Sequence, residues 1–402
     1  MEKESFKNKE LIFCSFAPVG LDDYESYFKE NFSDFIYLKW KFPHGDKNTS
    51  SFLRHYREQE KIIDKKILSP IVFRNRLLYF IFLPFNYMLY FCQALFYLSR
   101  KKERKKRIFF GINYICTFYG IFLKKIGYID FIIYRVMDFF PLPKKGIYRF
   151  LTRIFYIMDA FCLKNADSIW FTTNRHIIGR QKYGYFKDYA KKSQLIPLGI
   201  NIDNCQLKLI KKNSTPTLVY CGIISKYQLL DLLFESVKEL KNEFPNLKLE
   251  VIGSGPDEIY FKKIAKEMGI DKNIFFHGFI ENMDEVKKII SRSHLGIALY
   301  KDEENYMKYT EPAKVKYYLN FGVPVVISKV PEIAHELDEK KISFSVNNNK
   351  IELVQVIRNY LLNQNQQKIY QENIKNFLPT IDINKLLSKN FKQTFTSEYI
   401  YD

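Results

Sequence analysis

Short runs of β-branched and aromatic residues alternate along the chain with longer stretches whose apolar positions recur at helical spacing. In the first half, Leu11–Ser15 reads as a strand and Asp22–Asn31 as a helix. Further on come a strand at Ile108–Ile115, a helix at Phe118–Ile126, a strand at Asp130–Tyr134, a helix at Gly146–Leu163 and a strand at Ser168–Thr172. Asn201–Thr215 is polar, basic and without period, which marks a linker. A second alternation follows: strand Leu218–Gly222, helix Leu230–Asn242, strand Leu247–Ile252, helix Glu258–Met268, strand Ile274–His277, helix Asp284–Ser291 and strand Leu295–Leu299. Alternation of this kind implies parallel sheets covered by helices. The expected fold is α/β, with two Rossmann-like doubly wound domains over residues 1–200 and 201–383. A helical tail over 384–402 is expected to pack back on the N-terminal domain.

One stretch departs from the alternation. Leu77–Leu98 is almost wholly apolar and aromatic, long enough to span a bilayer. Pro84, Asn86 and Gln93 interrupt it, tyrosines recur through it, and basic residues flank both ends. The reading is one or two helices lying on, or dipping into, an anionic leaflet, as part of a membrane-associating insertion at about 70–107. Its contacts would be Arg74, Arg76, Phe80, Phe82, Phe85, Arg100, Lys101, Lys102, Arg104, Lys105, Lys106 and Arg107. A buried core helix and a true span are the alternatives.

Composition narrows the partners. The 402 residues carry a formal net charge of +19, which implies an anionic partner: nucleic acid, an anionic membrane or a phosphorylated substrate. A basic run beside an apolar aromatic segment argues for the membrane over nucleic acid. Hydrophobic residues make up 47%, so global disorder is excluded. The six cysteines show no CxxC or Cys/His ligand spacing, so neither a disulfide framework nor a zinc site is supported. Met1–Glu10 is charged and does not read as a signal peptide. A reducing cytoplasm fits.

Candidate chemistry concentrates in Thr310–Ser328. Pro312 suits the first turn of a helix, Gly322 its end, and Val323–Ile327 a covered parallel strand. Lys314 stands in the first turn, where the helix dipole disfavours a cation. An anion such as phosphate over the free N–H groups would explain it; a solvated surface lysine is the alternative. Gly253-Ser-Gly255 sits between a strand and a helix, where glycine lets backbone N–H groups approach phosphate. Gly20 and Gly222 also follow strands, the usual ligand position in open α/β sheets; a plain turn glycine remains the other reading of Gly20. His277, His176 and His294 read as packing residues.

Leu218–Val346 resembles the nucleotide-sugar-binding domain of GT-B glycosyltransferases, in particular the family-4-like retaining enzymes of glycosyl transferases group 1. The resemblance rests on Gly222, Val251-Ile-Gly-Ser-Gly-Pro256, Phe276-His-Gly-Phe279, Glu311-Pro-Ala-Lys314 and Gly322-Val-Pro-Val-Val326. Less specifically, Tyr134-Arg-Val-Met-Asp-Phe-Phe-Pro141 and Ala166-Asp-Ser-Ile-Trp170 are similar to polysaccharide-forming members. The resemblance implies two facing domains and a nucleotide-sugar donor. It implies Lys314 at the diphosphate, Glu311 at sugar or ribose hydroxyls, Gly20 and Gly222 lining the diphosphate, and Asp138 near the reacting sugar. It implies a retaining reaction without metal or other cofactor. The acceptor would be lipid-linked or a polysaccharide, at the cytoplasmic membrane face, in surface polysaccharide biosynthesis. Two departures stand out. Tyr317 occupies the place of a ribose-binding glutamate, and Gln228 the place of a donor-binding lysine, for which Lys226 is the substitute from a shifted register. They keep open a catalytically inactive scaffold of the same fold.

Overall fold

The computed structural model describes residues 6, 8–16, 22–41, 50–69, 76–101, 105–143, 145–186, 189–202 and 212–396. Gly20, Arg74, Lys102 and Arg104 lie outside them, as do the side chains of Arg76, Phe80 and Phe82. Contacts divide the chain into 1–196 with 387–402 as one unit and 197–386 as the other.

The first unit contains β1 (Lys9–Ser15), α1 (Asp22–Asn31), β2 (Asp34–Lys39), β3 (Phe52–Arg57), β4 (Glu60–Lys66), α2 (Arg76–Ser99), β5 (Lys106–Ile112), α3 (Asn113–Lys125), β6 (Phe131–Val136), α4 (Ile147–Asn165), β7 (Ser168–Phe171), α5 (Asn174–Lys182) and β8 (Ser193–Leu195). Its eight strands run in the order β4-β3-β2-β1-β5-β6-β7-β8. The pairs from β2 through β8 are parallel; β3 and β4 add an antiparallel hairpin at the edge. That hairpin carries no Asn-Gly signal. Glu58 and Gln59 instead take left-handed φ values of 46° and 72°, the conformation a two-residue hairpin turn requires.

Both faces of the central strands are covered, so they read as continuous apolar runs. On one face Ile12, Cys14, Phe109 and Ile132 meet Cys116, Ile121 and Cys162. On the other, Phe28 of α1 packs edge-on against Phe13 and tilted against Phe110, and Phe110 stacks with Phe391, whose ring lies 5.0 Å from Trp170. Phe391 belongs to the terminal helix Ile383–Thr396. A charged triad sits inside this unit: Arg180 Nε donates to Asp159 Oδ2 at 2.7 Å, Tyr134 donates to the same carboxylate, and Asp159 and Arg180 are fully buried.

The apolar stretch forms the single helix α2, and among the described residues no helix is long and apolar enough to cross a membrane. Its C-terminal half is a partly buried core helix, because Tyr90, Ala94 and Leu98 pack into the apolar core. The expectation that the basic run after it lies on lipid is corrected at two residues. Arg107 is buried with its Nε 3.2 Å from Glu10, and Lys101 Nζ lies 2.8 Å from Glu10 and 3.1 Å from Asp34. Cations held this way neutralise buried carboxylates.

The second unit contains β9 (Thr217–Cys221), α6 (Leu230–Leu240), β10 (Lys248–Ile252), α7 (Glu258–Glu267), β11 (Ile274–Gly278), α8 (Met283–Arg292), β12 (Leu295–Ala298), α9 (Ala313–Asn320), β13 (Val325–Ser328), α10 (Ile333–Glu339), β14 (Ser343–Val346), α11 (Lys350–Leu362) and α12 (Gln364–Phe377), with the start of α13 (Ile383–Thr396). The sheet order β11-β10-β9-β12-β13-β14 is parallel throughout, with apolar clusters on both faces.

The buried triad yields a stability prediction. Asp159→Ala leaves the Arg180 guanidinium buried and uncompensated, so denaturant unfolding should show a loss of about 3–5 kcal/mol. A loss below about 1 kcal/mol would mean that water reaches the guanidinium.

Candidate donor-binding site in the C-terminal unit

Three loops, at the carboxyl ends of β9, β10 and β12, the last leading into α9, meet around Lys314. The helix begins at Ala313, with Pro312 as the extended residue before it. Tyr318 ties the helix to the sheet. The Cys221 N–H donates to its hydroxyl at 2.7 Å, and the hydroxyl donates to the Ile297 carbonyl at 3.2 Å. Gly296 makes room for that ring, since a Cβ there would stand 2.5 Å from it.

Held by this anchor, Lys314 points its ammonium into an aromatic corner. Nζ lies 4.5 Å from the Tyr220 ring centroid and 5.2 Å from that of Tyr300, and it donates to Gln228 Oε1 at 2.5 Å. Desolvation lowers its pKa from the ordinary 10.5 to about 7. The structure thus gives Gln228 a definite place at this ammonium. The side-chain-free face of Gly222 is the open side: a Cβ there would be 3.4 Å from Lys314 Cε and Nζ.

The glycines of the neighbouring turn act differently from expectation. The Gly222 N–H donates to the Ile252 carbonyl and the Gly253 N–H to that of Gly278, so neither is free for phosphate. A Cβ on Gly253 would stand 2.1 Å from the Gly222 carbonyl, and one on Gly255 2.2 Å from the Ile224 carbonyl. Their task is close packing of the two loops, which sets Gly222 against Lys314. Lys226 is exposed, its Nζ 4.4 Å from the Tyr260 ring centroid.

Glu311 is buried beside the helix start. Its Oε2 accepts from the Leu198 N–H at 2.7 Å, and Lys316 Nζ lies 3.1 Å from Oε1. A carboxylate held from two sides keeps lone pairs for further donors. Tyr317 is half-buried against the cluster around β13. His277 bonds Glu250 at 2.6 Å, and His294 Nδ1 accepts from the Thr217 N–H, its pKa lowered to about 4 by burial; both are structural.

Asp138 lies in the N-terminal unit, just past the carboxyl end of β6. Asn113 clamps it: Nδ2 donates to Asp138 Oδ2 at 2.9 Å, and Oδ1 accepts from the Met137 N–H at 3.1 Å. Asn113 does this from a left-handed φ of 61°, which asparagine tolerates better than most residues. Burial pushes the Asp138 carboxyl above its usual range. Sequence reasoning missed Asn113, Tyr300, Lys316 and Tyr318, and read Gln228 only as a missing lysine. Only the aromatic or basic character of some of them was visible, and none has a motif.

Lys314 sets a titration test. Because folding lowers its pKa, charging it costs stability below about pH 7, and that cost fades as pH rises toward 10.5. NMR of 13Cε-labelled lysine should show one ammonium titrating near pH 7 that vanishes in Lys314→Met. A Lys314 signal unmoved until about pH 10 would place it in ordinary solvent.

Residues 206–377 match the family described as glycosyl transferases group 1. Among curated proteins, poly(glycerol-phosphate) alpha-glucosyltransferase of Bacillus subtilis (strain 168) is 27% identical over 143 residues, which are 32% of this chain and 20% of that protein. Sucrose-phosphate synthase of Thermosynechococcus elongatus shares the fold with a TM-score of 0.70 at 14% identity, covering 97% of this chain and all of that one. HepE of Anabaena, solved with UDP, aligns with a TM-score of 0.65 at 10% identity over 96% of this chain and 100% of its own. WaaG, described as a glycosyltransferase involved in lipopolysaccharide biosynthesis, aligns with a TM-score of 0.63 at 16% identity over 96% of this chain and 99% of its own. The two sheets are those of the GT-B fold, and within it residues 206–377 match the family of glycosyl transferases group 1.

Proposed function

We propose that this chain moves a sugar from a nucleotide-sugar donor to a lipid-linked or polysaccharide acceptor at an anionic, cytoplasmic membrane face, in surface polysaccharide synthesis. The carrying observation is the Lys314 ammonium, seated against the Tyr220 and Tyr300 rings with Gln228 as its hydrogen-bond partner and the side-chain-free face of Gly222 beside it. A donor diphosphate arriving there restores the full charge of Lys314. The amino end of α9 adds its dipole. Together they neutralise the leaving phosphate as the glycosidic bond breaks, the charge that dominates such a barrier. No metal is needed for that step. Glu311, fixed by Lys316 and Leu198, accepts from sugar or ribose hydroxyls. By analogy with the family, Asp138, its pKa raised by burial, acts at the reacting sugar, and the reaction retains configuration. HepE has also been solved with UDP and glucose, which supports a UDP-sugar as first donor to try.

The membrane reading gains support from a surface that the sequence did not single out. Along α4, Ile147, Phe150, Ile154 and Ile157 are 59%, 60%, 39% and 71% exposed, at positions that fall on one helical face. Phe122 of α3 and Ile126 just after it are also exposed. Exposed Arg153, Lys145 and Lys125 accompany them, and the one carboxylate of the two helices, Asp159, is buried on Arg180. Apolar side chains edged by cations suit an anionic leaflet. An acceptor of repeated phosphates would suit the same charge, and the Bacillus relative is named for one.

Two measurements test this. Lys314→Ala should lower transfer from a UDP-sugar about tenfold or more while thermal unfolding stays cooperative. Full activity, or no binding of any nucleotide sugar by the native chain, would favour the inactive scaffold. Phe150→Asp/Ile157→Asp should lower co-sedimentation with phosphatidylglycerol vesicles about tenfold or more at physiological salt. Unchanged binding would move the membrane contact elsewhere.

A further inference from the structure

The edge hairpin and the last turns of α2 enclose a groove of about 1020 Å³ that the donor chemistry does not use. Leu53, His55 and Arg57 alternate along β3 and so share one sheet face, with Ile63 and Lys65 opposite His55 and Leu53 on β4. Gln93, Phe96, Tyr97 and Arg100 recur at helical spacing on the wall across from them. The deep polar groups of this wall are satisfied from within: Tyr97 Oη lies 2.6 Å from His55 Nδ1, and His55 Nε2 lies 2.5 Å from Asp34. The Gln93 amide is the exception. Both its polar atoms are buried and have no hydrogen-bond partner among the described residues.

The lip is apolar and exposed: Phe96 is 58%, Ile62 48% and Leu68 66% accessible. Around it stand Arg57, Lys65, Lys66 and Arg100, and among the described residues no carboxylate lines the groove. The volume is at the upper end for a small-molecule site. Apolar walls call for a hydrocarbon, four cations at the lip for an anion on its end, and the orphaned amide for an ester or phosphate oxygen near the junction.

We propose that this groove binds one hydrocarbon chain of a phosphate-bearing lipid, with its phosphate at Lys65 and Lys66. The assignment goes beyond the transfer reaction and rests on none of the residues given to it. It supplies a way to hold a single lipid out of the bilayer, whether that lipid is an acceptor or an anchor.

Native mass spectrometry and calorimetry on the full chain, with lysophosphatidylglycerol below its micellar concentration, decide it. Three variants or probes compare with the native pair: Phe96→Glu, Lys65→Glu/Lys66→Glu, and dodecyl maltoside as a neutral single chain. One lipid per chain is expected, with affinity at least tenfold weaker in each of the three, and no binding of inorganic phosphate alone. Binding of UDP in the same samples should be unchanged, which separates this result from the fate of the donor site. The proposal is overturned by native affinity in both variants, by equally tight binding of the neutral chain, by binding of inorganic phosphate in place of the lipid, or by no saturable lipid binding.

Discussion

Burial of a lysine ammonium without a carboxylate is the constraint around which the C-terminal unit is arranged. Lys314 keeps one amide hydrogen bond and two tyrosine faces in place of its hydration, and loses part of its basicity as a result. That cost makes sense only if an anion completes the site. The surroundings are all devices for holding the corner open on one side. Gly222 omits a side chain, Gly253 and Gly255 let two loops touch backbone to backbone, and Tyr318 pins the helix to the strands. The Glu311–Lys316 pair then fixes the chain just before the helix starts.

The N-terminal unit places its own reactive candidate by the same means, a strand end followed by a loop with an unusual backbone. Asn113 takes a left-handed conformation so that one amide group can hold both the Asp138 carboxylate and the Met137 backbone. Burial of that carboxyl raises its pKa, as burial lowers that of Lys314. Each shift makes the group cheaper to neutralise and dearer to charge, which is the condition for responding to a charged ligand.

How far the sequence revealed this depends on whether the partners are near in the chain. The parallel strands were legible because both faces are buried and the runs are continuous, and the helix after Pro312 because its start and stop signals are local. The β3–β4 hairpin was not, since Glu58-Gln59 is a poor hairpin signal and β4 is polar. Lys101 and Arg107 read as part of a membrane-contacting basic run because Glu10 and Asp34, which hold them, are far away in sequence. The helix dipole alone singles out Lys314. Its partner Gln228 was seen only as a missing lysine, while in the fold it takes the hydrogen bond that steadies the ammonium. The apolar face of α4 escaped notice because helical spacing alone does not say which stripe faces the core.

The claim at the centre of this account is that Lys314 waits for the diphosphate of a sugar donor. A crystal structure of the chain with UDP tests it most directly. The account predicts that Nζ leaves Gln228 and lies about 2.8 Å from a diphosphate oxygen over Gly222. A diphosphate bound elsewhere, with Lys314 still hydrogen-bonded to Gln228, would contradict it.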